Sequence, residues 1–163
     1  MISSIVQIND PFIQGKTDAD QSIAKALHYL EARLHHQNDP QYVNSQDVSA
    51  YARLQLALEQ EEIFAVMFLT VENRLIAFEK LFFGTIHEAT VYPRKIVKKA
   101  LQYNAAKVII MHNHPSQECK PSQADKELTQ MIKKILAIID VILLDHIVVT
   151  SQKTYSFAEF DLL

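Results

Sequence analysis

The chain has 163 residues, 48% of them hydrophobic, with 16 lysines and arginines against 19 aspartates and glutamates and a formal net charge of −3. That length suits one domain with a short extra segment, and the acidic balance argues against a broad phosphate-binding footprint. A single cysteine, Cys119, excludes an internal disulfide and a Cys-rich zinc module, and two glycines leave no Gly-rich phosphate loop.

No apolar run reaches membrane-spanning length. Residues 1–14 lack a basic region followed by a long apolar stretch, so no signal peptide is expected and the cytoplasm is the expected compartment. Residues 1–17 read as irregular, with a turn at Asp10-Pro11. A helix is predicted over 18–36, capped by Asp18 or Asp20, because Ile23, Leu27, Leu30 and Leu34 recur at helical spacing. The polar run 35–40 reads as a stop and linker, which divides the chain into an N-terminal helical segment, 1–40, and a main domain, 41–163. Ser45 is placed as the N-cap of a second helix to about residue 58, with Val48, Tyr51, Ala52 and Leu56 inward.

From 63 to 69 a dense apolar run with aromatics has the signature of a buried strand, and 74–83 reads as its partner across a Glu72-Asn73 turn. Pro93 suits the first turn of a helix carrying Ile96, Val97, Ala100 and Leu101. A β-branched strand follows over 107–111, then a loop over 112–121, and a helix opened by Ser122 that runs to about residue 139. Strands are predicted over 141–150 and 154–157. Strands alternating with helices imply an α/β fold, three layers deep (α/β/α) around a mixed sheet.

The most informative segment is Met111-His112-Asn113-His114-Pro115 with Ser122 and Asp125 after it. In extended backbone, residues i and i+2 point the same way, so both imidazoles can reach one point. Imidazole and carboxylate suit zinc, and three protein ligands plus water describe a catalytic site, not a closed structural one. The competing readings are a pair of surface histidines in a loop, and for Ser122 and Asp125 a capping box at a helix N-terminus. Ser122 is a candidate donor to a developing oxyanion as well as an N-cap. Cys119 is read as an unligated loop thiol; as a fourth ligand it would close the site. A hydrolytic site also needs a general base, and Glu61 and Glu62, just before the first buried strand, both qualify. Asp145 and His146 are candidate groups for orienting a ligand, with packing at a strand end as the alternative, and His87 and Glu88 are candidate borders of the cleft.

These residues resemble a known family. His-x-His-Pro, six residues, then Ser-x-x-Asp is the JAMM (MPN/JAB) metalloprotease motif, and His112, His114, Pro115, Ser122 and Asp125 match it position for position. The string from His112 to Ser116 resembles the bacterial RadC branch, as do Leu81-Phe82-Phe83-Gly84-Thr85, Val91-Tyr92-Pro93-Arg94 and Leu144-Asp145-His146, and the likeness covers roughly residues 45–163. The N-terminal segment is similar to that of small RadC-like proteins lacking the helix-hairpin-helix region.

The resemblance implies the MPN/JAB, cytidine-deaminase-like architecture and one Zn2+ held by His112, His114 and Asp125 with water in the fourth position. It further implies Glu62, ahead of Glu61, as the base, Ser122 as an aid to the oxyanion, and a peptide or protein substrate cleaved at a peptide or isopeptide bond. The family also carries a DNA-repair label, so the alternative is a non-enzymatic module associated with DNA or protein, the DNA version unsupported by the net charge. A nucleobase deaminase is excluded because its His-x-Glu and Pro-Cys-x-x-Cys signature is absent. The chain departs from the family pattern at Gln117, where Gly is usual, and at Thr70, where Asp is usual; both departures bear on substrate access.

Overall fold

The computed structural model describes residues 17–35, 45–84 and 91–163. The Asp10-Pro11 turn, the 36–40 linker, Thr85, His87 and Glu88 lie outside the described residues. The elements run α1 (Asp18–His35), α2 (Ser45–Leu56), β1 (Ile63–Leu69), β2 (Leu75–Phe83), α3 (Pro93–Gln102), β3 (Lys107–Asn113), α4 (Gln123–Ala137), β4 (Ile142–Val149) and β5 (Thr154–Ser156). The strands form one mixed sheet in the order β2-β1-β3-β4-β5, with β3 and β4 parallel and the other pairs antiparallel.

All seven residues of β1 are buried because the strand is central and covered on both faces. Its side chains alternate. Ile63, Ala65, Met67 and Leu69 join Leu30 and Leu34 of α1 and Val48, Tyr51, Ala52 and Leu56 of α2 in one core. Phe64, Val66 and Phe68 join Ile96 and Ala100 of α3 and Ile132 and Leu136 of α4 in the other. The protein is thus three-layered, α1 and α2 on one face of the sheet and α3 and α4 on the other. Burial of each such Leu, Ile or Phe contributes about 1.5–3 kcal/mol.

Three local differences from the sequence reading have physical causes. Thr17, not Asp18 or Asp20, caps α1: its hydroxyl accepts from Asp20 N–H while Asp20 Oδ2 accepts from Thr17 N–H at 2.9 Å. Leu101 of α3 is 60% exposed, since only Ile96 and Ala100 face the sheet. Strand β3 runs on through His112 and Asn113, because Phe64 of β1 and Val148 and Val149 of β4 continue the pairing there. The loop therefore starts at His114, and His112 belongs to the rigid sheet.

Candidate metal centre

The site lies where β3 ends and α4 begins. Each histidine is aimed by its other ring nitrogen. His114 Nδ1 lies 2.6 Å from the Glu118 carbonyl oxygen, which only accepts, so Nδ1 carries the proton and Nε2 presents its lone pair. His112 Nδ1 lies 2.8 Å from His146 Nε2. The two Nε2 atoms are 2.9 Å apart. Asp125 Oδ1 is 3.3 Å from His112 Nε2, and Oδ2 is 3.6 Å from His114 Nε2. All three ligand atoms lie within 4.8 Å of one another.

Asp125 reaches this point from the first turn of α4, where the capping-box reading of it holds. Ser122 and Asp125 form a complete capping box. Asp125 Oδ2 accepts from Ser122 N–H at 2.7 Å and from Ser122 Oγ–H at 2.6 Å. The cap immobilises the carboxylate, and its Oδ1 still faces His112.

The charges follow from the surroundings. Burial pushes His112 down to about 4, against the pull of Asp125, so its ring is neutral at neutral pH. His146, wholly buried, is held well below the ordinary histidine range for the same reason. The Asp125 carboxylate beside it holds His114 above its ordinary value. For Asp125 the largest effect, burial, favours the acid. It is outweighed by the neighbouring His114 and His112 and the two Ser122 bonds, which together hold the carboxyl well below the usual range. A neutral imidazole, a second imidazole with its Nε2 inward, and a permanent carboxylate converge on one point. That donor set fits a divalent cation.

Glu62 is half-buried and Glu61 exposed. Burial raises the Glu62 carboxyl; His114 opposes the rise and Asp125 adds to it, so Glu62 is within electrostatic reach of both ligands. Asn113, which the sequence reading passed over, fixes the backbone on either side of Glu62. Its Oδ1 accepts from Ile63 N–H at 2.7 Å, and its Nδ2 donates to the Glu61 carbonyl at 2.9 Å and the Glu59 carbonyl at 3.3 Å. The signal was available: an amide between two ligands on a strand points to the opposite face, toward the β1 start.

Other candidates fall elsewhere. Cys119 Sγ faces the Val148 carbonyl at 3.9 Å, and among the described residues it is not in the ligand cluster. Asp145 does not touch the His146 ring. It accepts from His146 N–H, Ala158 N–H and Ser156 Oγ–H, pinning the turn after β5. Thr70 ends β1 far from Glu62, where its Oγ1 accepts from the N–H groups of Glu72 and Arg74, the work an Asp does in such a turn. Gln117 has φ 65, the left-handed region that favours glycine, and its Oε1 accepts from Ser151 N–H and Oγ–H. No helix among the described residues is long and apolar enough to cross a membrane.

The chain is 45% identical over 141 residues to the UPF0758 protein YkfG of Escherichia coli (strain K12), covering 86% of this chain and 89% of that one. It is 52% identical over 124 residues to a UPF0758 protein of Methylibium petroleiphilum, covering 76% of this chain and 56% of the relative. Against a UPF0758 protein of a Janthinobacterium species it is 56% identical over 114 residues, or 70% and 51% of the two chains. The chain thus spans about half the length of these last two relatives. The family model described as the RadC-like JAB domain matches residues 42–162, a span that contains His112, His114, Asp125 and Glu62. With a match of that extent, the chain belongs to the RadC-like JAB domain family.

Proposed function

We propose that the protein is a zinc-dependent metallohydrolase that cleaves a peptide or isopeptide bond in a peptide or protein substrate. The observation that carries the reading is the convergence of His112 Nε2, His114 Nε2 and the Asp125 carboxylate within 4.8 Å, beside a half-buried Glu62. His112, His114 and Asp125 would hold the ion. Bound there, zinc supplies Lewis acidity and a water acidified toward a pKa of ~7.

The rest is work for the chain's own residues. Glu62, its carboxyl raised by burial, takes the proton from the attacking water and delivers it to the leaving amine. Asn113 fixes the point from which Glu62 reaches out by holding the backbone on both sides. Ser122 gives its hydroxyl proton to Asp125 Oδ2, so its first role is to hold that ligand. Donation to an oxyanion requires that proton to turn toward the substrate.

The test is Glu62→Gln, assayed beside the native chain for cleavage of a mixture-based peptide library and of lysine-branched isopeptides, read by mass spectrometry. The native protein should cut and the variant should keep its zinc and lose turnover by about 100-fold or more. Equal turnover in the variant would overturn the assignment.

A further inference from the structure

A buried chain of hydrogen bonds runs from α4 through β4 to the first ligand. Thr129 Oγ1 lies 2.5 Å from the Asp125 carbonyl oxygen and 2.6 Å from His146 Nδ1, and His146 Nε2 lies 2.8 Å from His112 Nδ1. Thr129 and His146 are fully buried, and His112 nearly so. The polarity of the chain can be read from its end. A carbonyl oxygen only accepts, and two oxygens at such a distance need a proton between them. The Thr129 hydroxyl proton is therefore spent on Asp125. Its remaining lone pair must accept, so His146 Nδ1 carries a proton. A neutral His146 then has a bare Nε2, which accepts from His112 Nδ1–H. The lone pair of His112 is left on Nε2, the atom facing His114 and Asp125.

We propose that Thr129 and His146 are positioning residues that dictate the tautomer of His112 and so make its Nε2 an obligatory ligand atom. This rests on the metal-site reading above. Packing keeps the relay in register. The His146 ring stacks on Phe157 at 4.6 Å and 22° and meets the Phe64 ring edge-on at 5.9 Å, so it cannot swing away from His112. The relay also ties two ligands together, because it starts on the backbone of Asp125 and ends on the ring of His112.

The experiment reads tautomers and zinc affinity in the full chain. Long-range proton–nitrogen correlation spectra of 15N-histidine-labelled protein should show His112 and His146 both as the Nδ1–H form before zinc is added. Thr129→Val keeps the shape but removes the acceptor at the end of the relay. His146 should then turn over to Nε2–H, His112 should follow, and zinc affinity, measured by competition with a chromophoric chelator, should fall about 10–100-fold. Thr129→Ser, which restores the hydroxyl, should bring affinity back to within about threefold of the native value. A native His112 protonated on Nε2, or a folded Thr129→Val chain with native zinc affinity, would overturn the relay. The native tautomers decide the matter even if Thr129→Val fails to fold. A native chain that binds no zinc would overturn the metal reading instead, and the tautomers would still test the relay.

Discussion

Replacing Asn113 with Ala should separate the scaffold of the site from its ligands. The side chain makes three bonds, of which the one accepted from Ile63 N–H at 2.7 Å is buried, with Ile63 only 4% exposed. The β1–β3 ladder stops at the Phe64–His112 pair, and the Asn113 side chain supplies the next rung to that donor. Leaving a buried donor unmatched costs about 1–3 kcal/mol. The carbonyls of Glu59 and Glu61 sit on half-buried and exposed residues and turn to water, adding little. A total of about 2 kcal/mol lowers Tm by about 4–8 °C in a domain of this size. Zinc content should not change, because Asn113 points to the sheet face away from His112. Asn113→Asp should be about as damaging, because its carboxylate still accepts from Ile63 but faces two carbonyls. Thermal denaturation followed by circular dichroism reads the shift. An Asn113→Ala variant melting at the native temperature would refute the reasoning.

The other predictions concern pH, backbone and core. Burial depresses His112 and His146, so in the metal-free protein both groups lend full stability above the unfolded value of 6.5 and lose it as pH falls, His112 through about 4. At pH 5 the His112 contribution alone is on the order of 2 kcal/mol, with raised His114 opposing part of it; urea melts at pH 7 and pH 5 should show the loss, and a flat profile would contradict it. Gln117→Ala and Gln117→Gly both forfeit the Ser151 bonds but differ in tolerance of φ 65, so the Gly variant should be more stable by about 1 kcal/mol in chemical denaturation. Phe157→Ala, at a fully buried ring stacked on His146, should cost about 3–5 kcal/mol and also broaden the His146 imidazole signals.

Much of this was legible in the residues. The unbroken apolar run of β1 matches a strand buried on both faces, and it begins and ends where the composition changes, at Glu62 and Thr70. The convergence of His112, His114 and Asp125 was legible because the motif is local: one residue at the end of a strand, one just past it and one in the next helix turn. What the sequence left open depends on neighbours distant in the chain. Glu61 and Glu62 look alike until β1 is seen beside β3, where Asn113 clamps the backbone on either side of Glu62, which is half-buried while Glu61 is exposed. Asp145 and His146 look like one motif until the turn after β5 captures the carboxylate and α4 delivers Thr129 to the imidazole. Gln117 looks like an obstruction until its φ and its bonds to Ser151 show it serving as a loop tether.

The most direct measurement is the metal content of the native chain beside a His112→Ala/His114→Ala variant, by elemental mass spectrometry on protein purified without chelator. The account predicts near-stoichiometric zinc in the native protein and none in the folded variant. A folded native protein that takes up no zinc even when it is supplied would contradict it, and would leave Asp125 as a helix cap alone.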